Sequence, residues 1–258
     1  MVERENGLTD IEKQLYHRNI LLRDVGEAGQ EKLKRSRVLI VGLGGLGSPA
    51  LFYLVSSGVG EIGIADGDKV ELSNLQRQIL HGQEDLGKSK TLSARETVDR
   101  LRPEAKLNVY PFKITAENAA QIISSYDFVI EATDNFESKF LINDVCIRLG
   151  KAFSHAGIVG MYGQTMTVVP GKGPCYRCVF GDAPPAGAVE STEEAGVLGT
   201  VAGVLGAIQA TEAIKYLLGC GSLLVGRLLT WDALAMSFRE IRLPLDMRCE
   251  GCGESVNR

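Results

Sequence analysis

The sequence predicts an α/β fold: a Rossmann-like, mostly parallel sheet that continues into antiparallel strands, with N-terminal helices and a four-cysteine zinc staple. Three observations carry this reading. Short apolar runs alternate with helical segments through residue 150, the pattern of strand–helix–strand units in a parallel sheet. A glycine turn, Gly42-Leu43-Gly44-Gly45-Leu46-Gly47, follows the first apolar run and opens a helix. After Lys151 the pattern changes to the alternation of antiparallel strands, and two Cys-x-x-Cys pairs appear.

In chain order, Thr9-Asp10-Ile11-Glu12 fits a capping box and opens helical material that fills residues 1–36. Arg37 to Val41 reads as a buried strand, followed by the glycine turn and a helix through Ser57. Glu61 to Asp66 is the second strand, Lys88 to Leu101 a helix, and Leu107 to Phe112 the third strand. A short helix from Ala116 to Ser124 precedes the strand Phe128 to Ala132. Met161 to Val169 and Leu228 to Leu243 alternate as antiparallel strands do. The Pro/Gly/Glu-rich stretch Gly181 to Gly196 is the candidate mobile loop. The uncharged stretch Ala195 to Thr211 carries Gly199-x-x-x-Gly203 and is short of a membrane span, so it reads as a buried helix. The whole chain, 1–258, is one domain: helices to residue 36, a nucleotide-binding half over 37–158, and a second part over 159–258.

Composition narrows the function classes. The chain is 45% hydrophobic and 23% charged, which excludes disorder as its main state. A formal net charge of −4 argues against a nucleic-acid partner held by its phosphate backbone. The charged start, Met1 to Asp10, has no apolar signal region, so the expected compartment is the cytoplasm, with no membrane association.

Four clusters carry chemistry. Glycines at 42, 44 and 47 permit a tight turn and close approach of backbone to a phosphate or ribose, without deciding between NAD, FAD and ATP. Asp66 lies at the end of the next strand, where an acid can bond ribose hydroxyls. Asp66, Asp68, Asn74, Arg77 and Lys90 form the second cluster, whose cations suit a ligand with more phosphate charge than a dinucleotide; a solvated charged surface is the plain alternative. Asp134 and Asn135, after the strand ending at Ala132, fit Mg²⁺ binding, a helix N-cap, or one role each. Cys175-x-x-Cys178 and Cys249-x-x-Cys252 supply four thiolates, the ligand set of structural Zn²⁺, with two disulfides as the alternative. Cys146 and Cys220 read as buried, inert residues in apolar helices, and Trp231 as core. His17, His81 and His155 are dispersed and suggest no metal site; His81 reads as a hydrogen-bonding residue.

Taken together the clusters resemble one family, the MoeB/ThiF/HesA adenylyltransferases related to ubiquitin-activating enzymes. The matching strings are Tyr16-His-Arg-Asn-Ile20, the glycine turn, Asp66-Gly-Asp68 and Leu72-Ser-Asn-Leu-Gln-Arg-Gln78. They continue with Gly87-Lys-Ser-Lys90, Ala132-Thr-Asp-Asn135, Pro174-Cys-Tyr-Arg-Cys178, Glu194-Ala-Gly-Val197 and Cys249-Glu-Gly-Cys252.

The resemblance implies a homodimer that uses ATP to adenylate the C-terminal Gly-Gly carboxylate of a ubiquitin-like sulfur-carrier protein, for molybdopterin or thiamine biosynthesis. By matching position, Gly42, Gly44, Gly45, Asp66, Asp68, Asn135 and the segment Ser73, Asn74, Leu75, Gln76 would hold ATP. Arg77 and Lys90 would neutralise phosphate charge, Asp134 would bind Mg²⁺, and Arg18 would reach into the partner subunit's active site. The stretch 181–196 would cross over the carrier's tail. Several relatives carry a Cys just before Glu-Ala-Gly-Val; here Thr192 stands in its place, so adenylation without a covalent step at this loop is expected. No sulfurtransferase domain follows the last knuckle, so sulfur is expected from a separate donor, a cysteine desulfurase or rhodanese-like protein. Three other readings remain open on the residues: the same fold activating a non-protein carboxylate such as a tRNA base; an NAD(P)-dependent oxidoreductase, which leaves Arg77, Lys90 and the cysteines without a role; and a non-enzymatic nucleotide-bound adaptor for a ubiquitin-like protein, against which the set Arg77, Lys90 and Asp134 argues.

Overall fold

The capping box at Thr9 forms. The Thr9 hydroxyl accepts from the Glu12 N–H at 3.2 Å, and Glu12 accepts from the Thr9 N–H at 2.7 Å. It opens α1 (Asp10–Leu15), followed by α2 (His17–Ile20) and α3 (Gly26–Arg35). The helical material is broken into three because the chain turns at Tyr16, whose ring is buried, and again at Gly26, where φ is +60°. The computed structural model describes residues 7–183, 185, 195–244, 246, 248, 249 and 251–253.

Beyond α3 the chain alternates β1 (Arg37–Val41), α4 (Gly47–Ser56), β2 (Glu61–Ala65), α5 (Lys90–Leu101), β3 (Lys106–Tyr110), α6 (Ala119–Ser124), β4 (Phe128–Glu131), α7 (Phe136–Leu149) and β5 (Ala152–Val159). Then come β6 (Tyr162–Val168), α8 (Tyr176–Phe180), α9 (Gly199–Leu218), β7 (Arg227–Asp232) and β8 (Ser237–Arg242). Eight strands form one sheet in the order β3-β2-β1-β4-β5-β6-β7-β8. The first five in that order are parallel, and β5 through β8 pair antiparallel. The fold class expected from the pattern is therefore present, with the change of direction at the β5–β6 hairpin.

Successive residues of each strand point to opposite faces. Val38, Ile40, Ile62, Ile64, Phe128 and Ile130 face α4, α5 and α9; Leu39, Val41, Val129 and Phe153 face α6, α7 and α8. Both faces are covered, which is why the parallel strands read as near-continuous apolar runs.

Strand β5 has no such run. Ser154 and His155 occupy its centre, fully or almost fully buried, and this polarity hid the strand from hydrophobic patterning. Helix α9 extends seven residues past the uncharged stretch, through Glu212 and Lys215, because Glu212 is buried and bonded to Thr167 Oγ1 (2.6 Å) and the Leu224 N–H (2.7 Å). At 20 residues it is long and apolar enough to cross a membrane, and here it packs on α4 and on β4, β5 and β6. Its close approaches lie at Gly199 and Gly206 rather than at Gly199 and Gly203. A Cβ at Gly206 would meet the Leu46 carbonyl oxygen at 2.2 Å, whereas Gly203 faces open space.

Candidate active site

Strand order reverses between β1 and β4: β2 and β3 lie to one side of β1, β4 and β5 to the other. Ligands bind at such a switch point, outside the carboxyl ends of the strands. The glycine turn leaves β1 there and the Ala132–Asn135 turn leaves β4 beside it. Gly42 has φ +95°, and a Cβ on it would sit 2.5 Å from the Ala132 carbonyl oxygen. A Cβ on Gly47 would sit 1.9 Å from the Gly42 carbonyl oxygen, so the tight turn into α4 also requires glycine.

A cavity of about 1080 Å³ opens at this point and extends toward β6, β7 and β8. Of the residues singled out in sequence, Gly42, Gly44, Gly45, Asp66, Asp68, Arg77, Lys90, Asp134 and Asn135 line it together. Ser73, Asn74, Leu75 and Gln76 turn beside the wall without lining it. Asn74 is buried and accepts from the Glu71 N–H (3.2 Å), while Arg77 donates to the Ser73 carbonyl (2.9 Å), so this segment braces Arg77. Arg18 lies exposed on α2, away from the cavity. Thr192 and most of 181–196 fall outside the described residues.

The site is electrostatically mixed. Asp66 is nearly buried; one carboxylate oxygen accepts from the Leu43 N–H and the other from the Asp68 N–H, both at 2.8 Å. Its first task is thus to hold the glycine turn, and each oxygen keeps a second lone pair for a ribose hydroxyl. Burial raises the Asp66 carboxyl above its ordinary range, and Lys90 opposes that. Lys90 and Lys113 both lie 3.5 Å from Asp68, the first nearly buried and the second well exposed. Asn135 caps α7 by accepting from the Ser138 N–H (2.9 Å), leaving Asp134 exposed to the cavity, 3.5 Å from the Asn135 amide. The two roles weighed for this pair are divided: Asn135 is the cap, and Asp134 is available. One exposed carboxylate facing a cavity open to phosphates suits Mg²⁺, which binds through one or two carboxylates plus substrate phosphates.

The four knuckle sulfurs cluster within 4.8 Å of one another. Cys175 lies 3.9 Å from Cys178 and 3.7 Å from Cys249, and Cys178 lies 3.4 Å from Cys252. These are not disulfide distances, which are about 2 Å. A tetrahedron with metal–sulfur bonds of about 2.3 Å has edges of about 3.8 Å, so the cluster fits zinc. Burial pushes the Cys175 thiol up to about 11; a cation is what would favour the thiolate there.

Cys146 is buried in α7, and burial pushes its thiol up. Cys220 is half-buried and follows α9 rather than lying within a helix, because Gly219 ends that helix in the left-handed conformation. His81 is buried between Ser93 Oγ (2.8 Å) and the Leu43 carbonyl (3.3 Å), a structural role as expected. Trp231 is buried and stacks on Phe238 at 5.4 Å, but it also lines the cavity.

Sequence reasoning missed a buried charge cluster. Glu131, Lys139 and His155 meet at the cavity wall, which Lys139 and His155 line while Glu131 lies behind them: Lys139 Nζ lies 2.9 Å from Glu131 Oε2, and His155 Nδ1 2.7 Å from the same oxygen. Burial favours the neutral acid, yet Lys139 and His155 hold the Glu131 carboxyl down at about 2. Burial and the Lys139 charge lower His155, while Glu131 raises it, and Nδ1–H donates to the Glu131 carboxylate, which can only accept. The available signal was a glutamate ending an otherwise apolar strand, with a lysine eight residues on.

Residues 16–252 match the ThiF family. The chain is similar to a sulfur carrier protein adenylyltransferase of Thermus thermophilus, 46% identical over 244 residues, which are 93% of this chain and 90% of that protein. It is 41% identical over 251 residues to the adenylyltransferase and sulfurtransferase MOCS3 of Aedes aegypti, 97% of this chain but 57% of that longer protein. In fold it is similar to the crystal structure of Escherichia coli MccB with MccA-N7isoASN, at TM-score 0.83 and 24% identity, covering 96% of this chain and 76% of that one.

Proposed function

Because the chain belongs to the ThiF family, we propose that it adenylates the C-terminal Gly-Gly carboxylate of a ubiquitin-like sulfur-carrier protein, forming an acyl adenylate and releasing pyrophosphate. The observation that carries this is the convergence of Arg77, Lys90 and Asp134 around the glycine turn in one cavity, in a chain 46% identical to an adenylyltransferase of that class.

A carboxylate attacking a triphosphate is an anion meeting an anion, so the barrier is chiefly electrostatic. Lys90 and Arg77 lie where they oppose the charge of the phosphates. Gly42, Gly44 and Gly45 let the chain approach the nucleotide closely, and Asp66 fixes that turn while offering lone pairs to the ribose. Asp134 projects from a braced turn and would hold Mg²⁺. When bound, the ion supplies charge neutralisation at the phosphates. No general base is required, because the attacking carboxylate is ionised at neutral pH. The part of the cavity beside Gln164, Thr230 and Arg239, on β6, β7 and β8, receives the carrier's tail. Zinc on the four cysteines is structural, since four thiolates leave no open position.

The same reading includes a cytoplasmic homodimer, with Arg18 acting in the neighbouring subunit, and a separate sulfur donor. Thr192 in place of a loop cysteine favours the molybdopterin over the thiamine pathway. The test is ATP–pyrophosphate exchange with Mg²⁺ and a panel of small carriers ending in Gly-Gly. Exchange with one carrier, lost in Asp134→Ala, supports the proposal and names the pathway. ATP binding without exchange for any carrier refutes it and points to a non-protein carboxylate.

A further inference from the structure

The turn that carries Asp134 is held from beneath by charge. Glu131 Oε1 accepts from the Thr133 N–H (2.8 Å) and from the Thr133 hydroxyl (2.5 Å). Lys139 Nζ lies 2.7 Å from the Thr133 carbonyl, 2.9 Å from the Ala156 carbonyl, and 3.1 and 2.9 Å from the two Glu131 oxygens. His155 closes the far side of the carboxylate. Thr133 is therefore bonded through its N–H, its hydroxyl and its carbonyl, and the Thr133–Asp134 peptide plane is fixed. On the other side of Asp134, Asn135 is fixed as the cap of α7, and Lys139 sits one turn along that helix.

Such an arrangement is costly for stability alone. A buried ion pair is often no better than an apolar pair of the same volume. What an apolar pair could not do is bond three polar groups of Thr133 and the Ala156 carbonyl at once. The charges are spent on backbone placement, and the placed backbone presents one exposed carboxylate to the cavity.

We propose that Glu131 and Lys139, braced by His155, are positioning residues that set the Asp134 carboxylate for the metal of a bound Mg²⁺–nucleotide, an inference that rests on the role given to Asp134 above. Glu131 is fully buried, and although Lys139 borders the cavity, its ammonium is engaged by Glu131 and by the Thr133 and Ala156 carbonyls. Partners one shell beyond a metal ligand typically govern metal affinity by roughly 10–100-fold.

The test measures the Mg²⁺ requirement of ATP binding by calorimetry on the enzyme alone, without carrier. The double variant Glu131→Gln/Lys139→Met keeps volume and buries no unpaired charge. It is expected to need about tenfold more Mg²⁺ for half-maximal Mg²⁺-dependent ATP binding, while ATP binding without Mg²⁺ is unchanged. Thr133→Val removes one bond to Glu131 and no charge, and decides the matter should the double variant fold poorly; about threefold is expected. In an Asp134→Asn background the double substitution should add nothing, because the group it positions is gone. An unchanged Mg²⁺ requirement in both variants overturns the inference, whatever happens to thermal stability. If Asp134→Asn itself leaves the requirement unchanged, the metal role of Asp134 falls and the inference with it. Carrier-dependent exchange, measured separately, still decides the adenylation reading.

Discussion

Two lysines flank Asp68 at the same distance, 3.5 Å, yet they should matter very differently. The side chain of Lys90 is 10% exposed and that of Lys113 is 76% exposed. Both line the cavity. A charge about 4 Å from a phosphate oxygen gains about 4 kcal/mol where the effective dielectric is about 20, and about 1 kcal/mol in water. Lys90 belongs to the first regime and Lys113 to the second. The difference, about 3 kcal/mol, corresponds to roughly 10²-fold in rate. Lys90→Met should therefore lower kcat/KM for ATP–pyrophosphate exchange by about 10²-fold, and Lys113→Met by less than about 5-fold. Lys90→Met should leave the fold intact, because the Lys90 N–H still donates to the Asp68 carbonyl (3.0 Å) and the freed Asp68 carboxylate is half in water. Raising the salt to about 1 M should erase the Lys113 effect, since exposed charges are screened within about 3 Å there, and leave most of the Lys90 effect. Equal losses in the two variants, or a Lys90 loss that salt removes, would refute the assignment of phosphate stabilisation to the buried cation.

Other outcomes follow from the same geometry. Asp134→Ala should cut exchange by about 10²–10³-fold, the usual cost of one preorganised electrostatic group; its thermal midpoint should stay near wild type, because Asp134 is exposed and its nearest polar partner is 3.5 Å away. A melting temperature that fell with the activity would assign Asp134 to the fold instead. Cys249→Ser should lose zinc by elemental analysis and lower Tm by on the order of 10 °C; unchanged zinc content would sink the cluster as a metal site. Acid should destabilise the protein in two stages. The His155 pKa is lowered from 6.5, so its contribution starts to disappear as pH falls below about 6.5. The Glu131 pKa is lowered from 4.5 to about 2, so its contribution is complete above 4.5 and is lost as pH falls toward 2. Thermal melts against pH should show the lower stage flattened in Glu131→Gln/Lys139→Met; an unaltered profile there would place the acid sensitivity elsewhere.

What could be read from the sequence was whatever depends on neighbours in the chain. Val38 to Val41 and Phe128 to Ile130 are apolar because both faces of a parallel sheet are covered, so each run announced a strand. Gly42 and Gly47 announced the turn because contacts at 2.5 and 1.9 Å exclude a Cβ. Each Cys-x-x-Cys pair is local, and two of them suffice to suggest a cluster that closes over 74 residues. What could not be read depends on pairing across the fold. Strand β5 was missed because Ser154 and His155 are polar, and they are tolerable only because Gln209 and Glu131 reach them from α9 and β4. Glu131 looked like the end of a strand; its partners lie 8 and 24 residues away, and only strand order brings them together. The resemblance gives nucleotide roles to Ser73–Gln76 as well as to Arg77, yet of these the turn places only Arg77 on the cavity wall and keeps the others behind it.

The cysteine cluster and the cavity are joined through one helix. Cys175 precedes α8, and the N–H of Tyr176 donates to Asn143 Oδ1 at 2.9 Å. Arg177 forks onto Asp144 with two bonds of 2.8 Å and lies over the Phe140 ring. Asn143, Asp144 and Phe140 all belong to α7, the helix that Asn135 caps beside Asp134. Tyr176 in turn stands edge-on to His155 at 4.6 Å, and both line the cavity. The knuckle is thus braced against α7, which carries both the Asn135 cap on one side of the Asp134 turn and Lys139, whose bonds to Glu131 and the Thr133 carbonyl fix the other. Residues bonded into one network do not contribute additively. Loss of the cluster should therefore reach the Mg²⁺ requirement for ATP as well as the melting temperature, in the direction expected for Thr133→Val. A Cys249→Ser protein that melted early but kept the wild-type Mg²⁺ requirement would show that α7 does not transmit the strain.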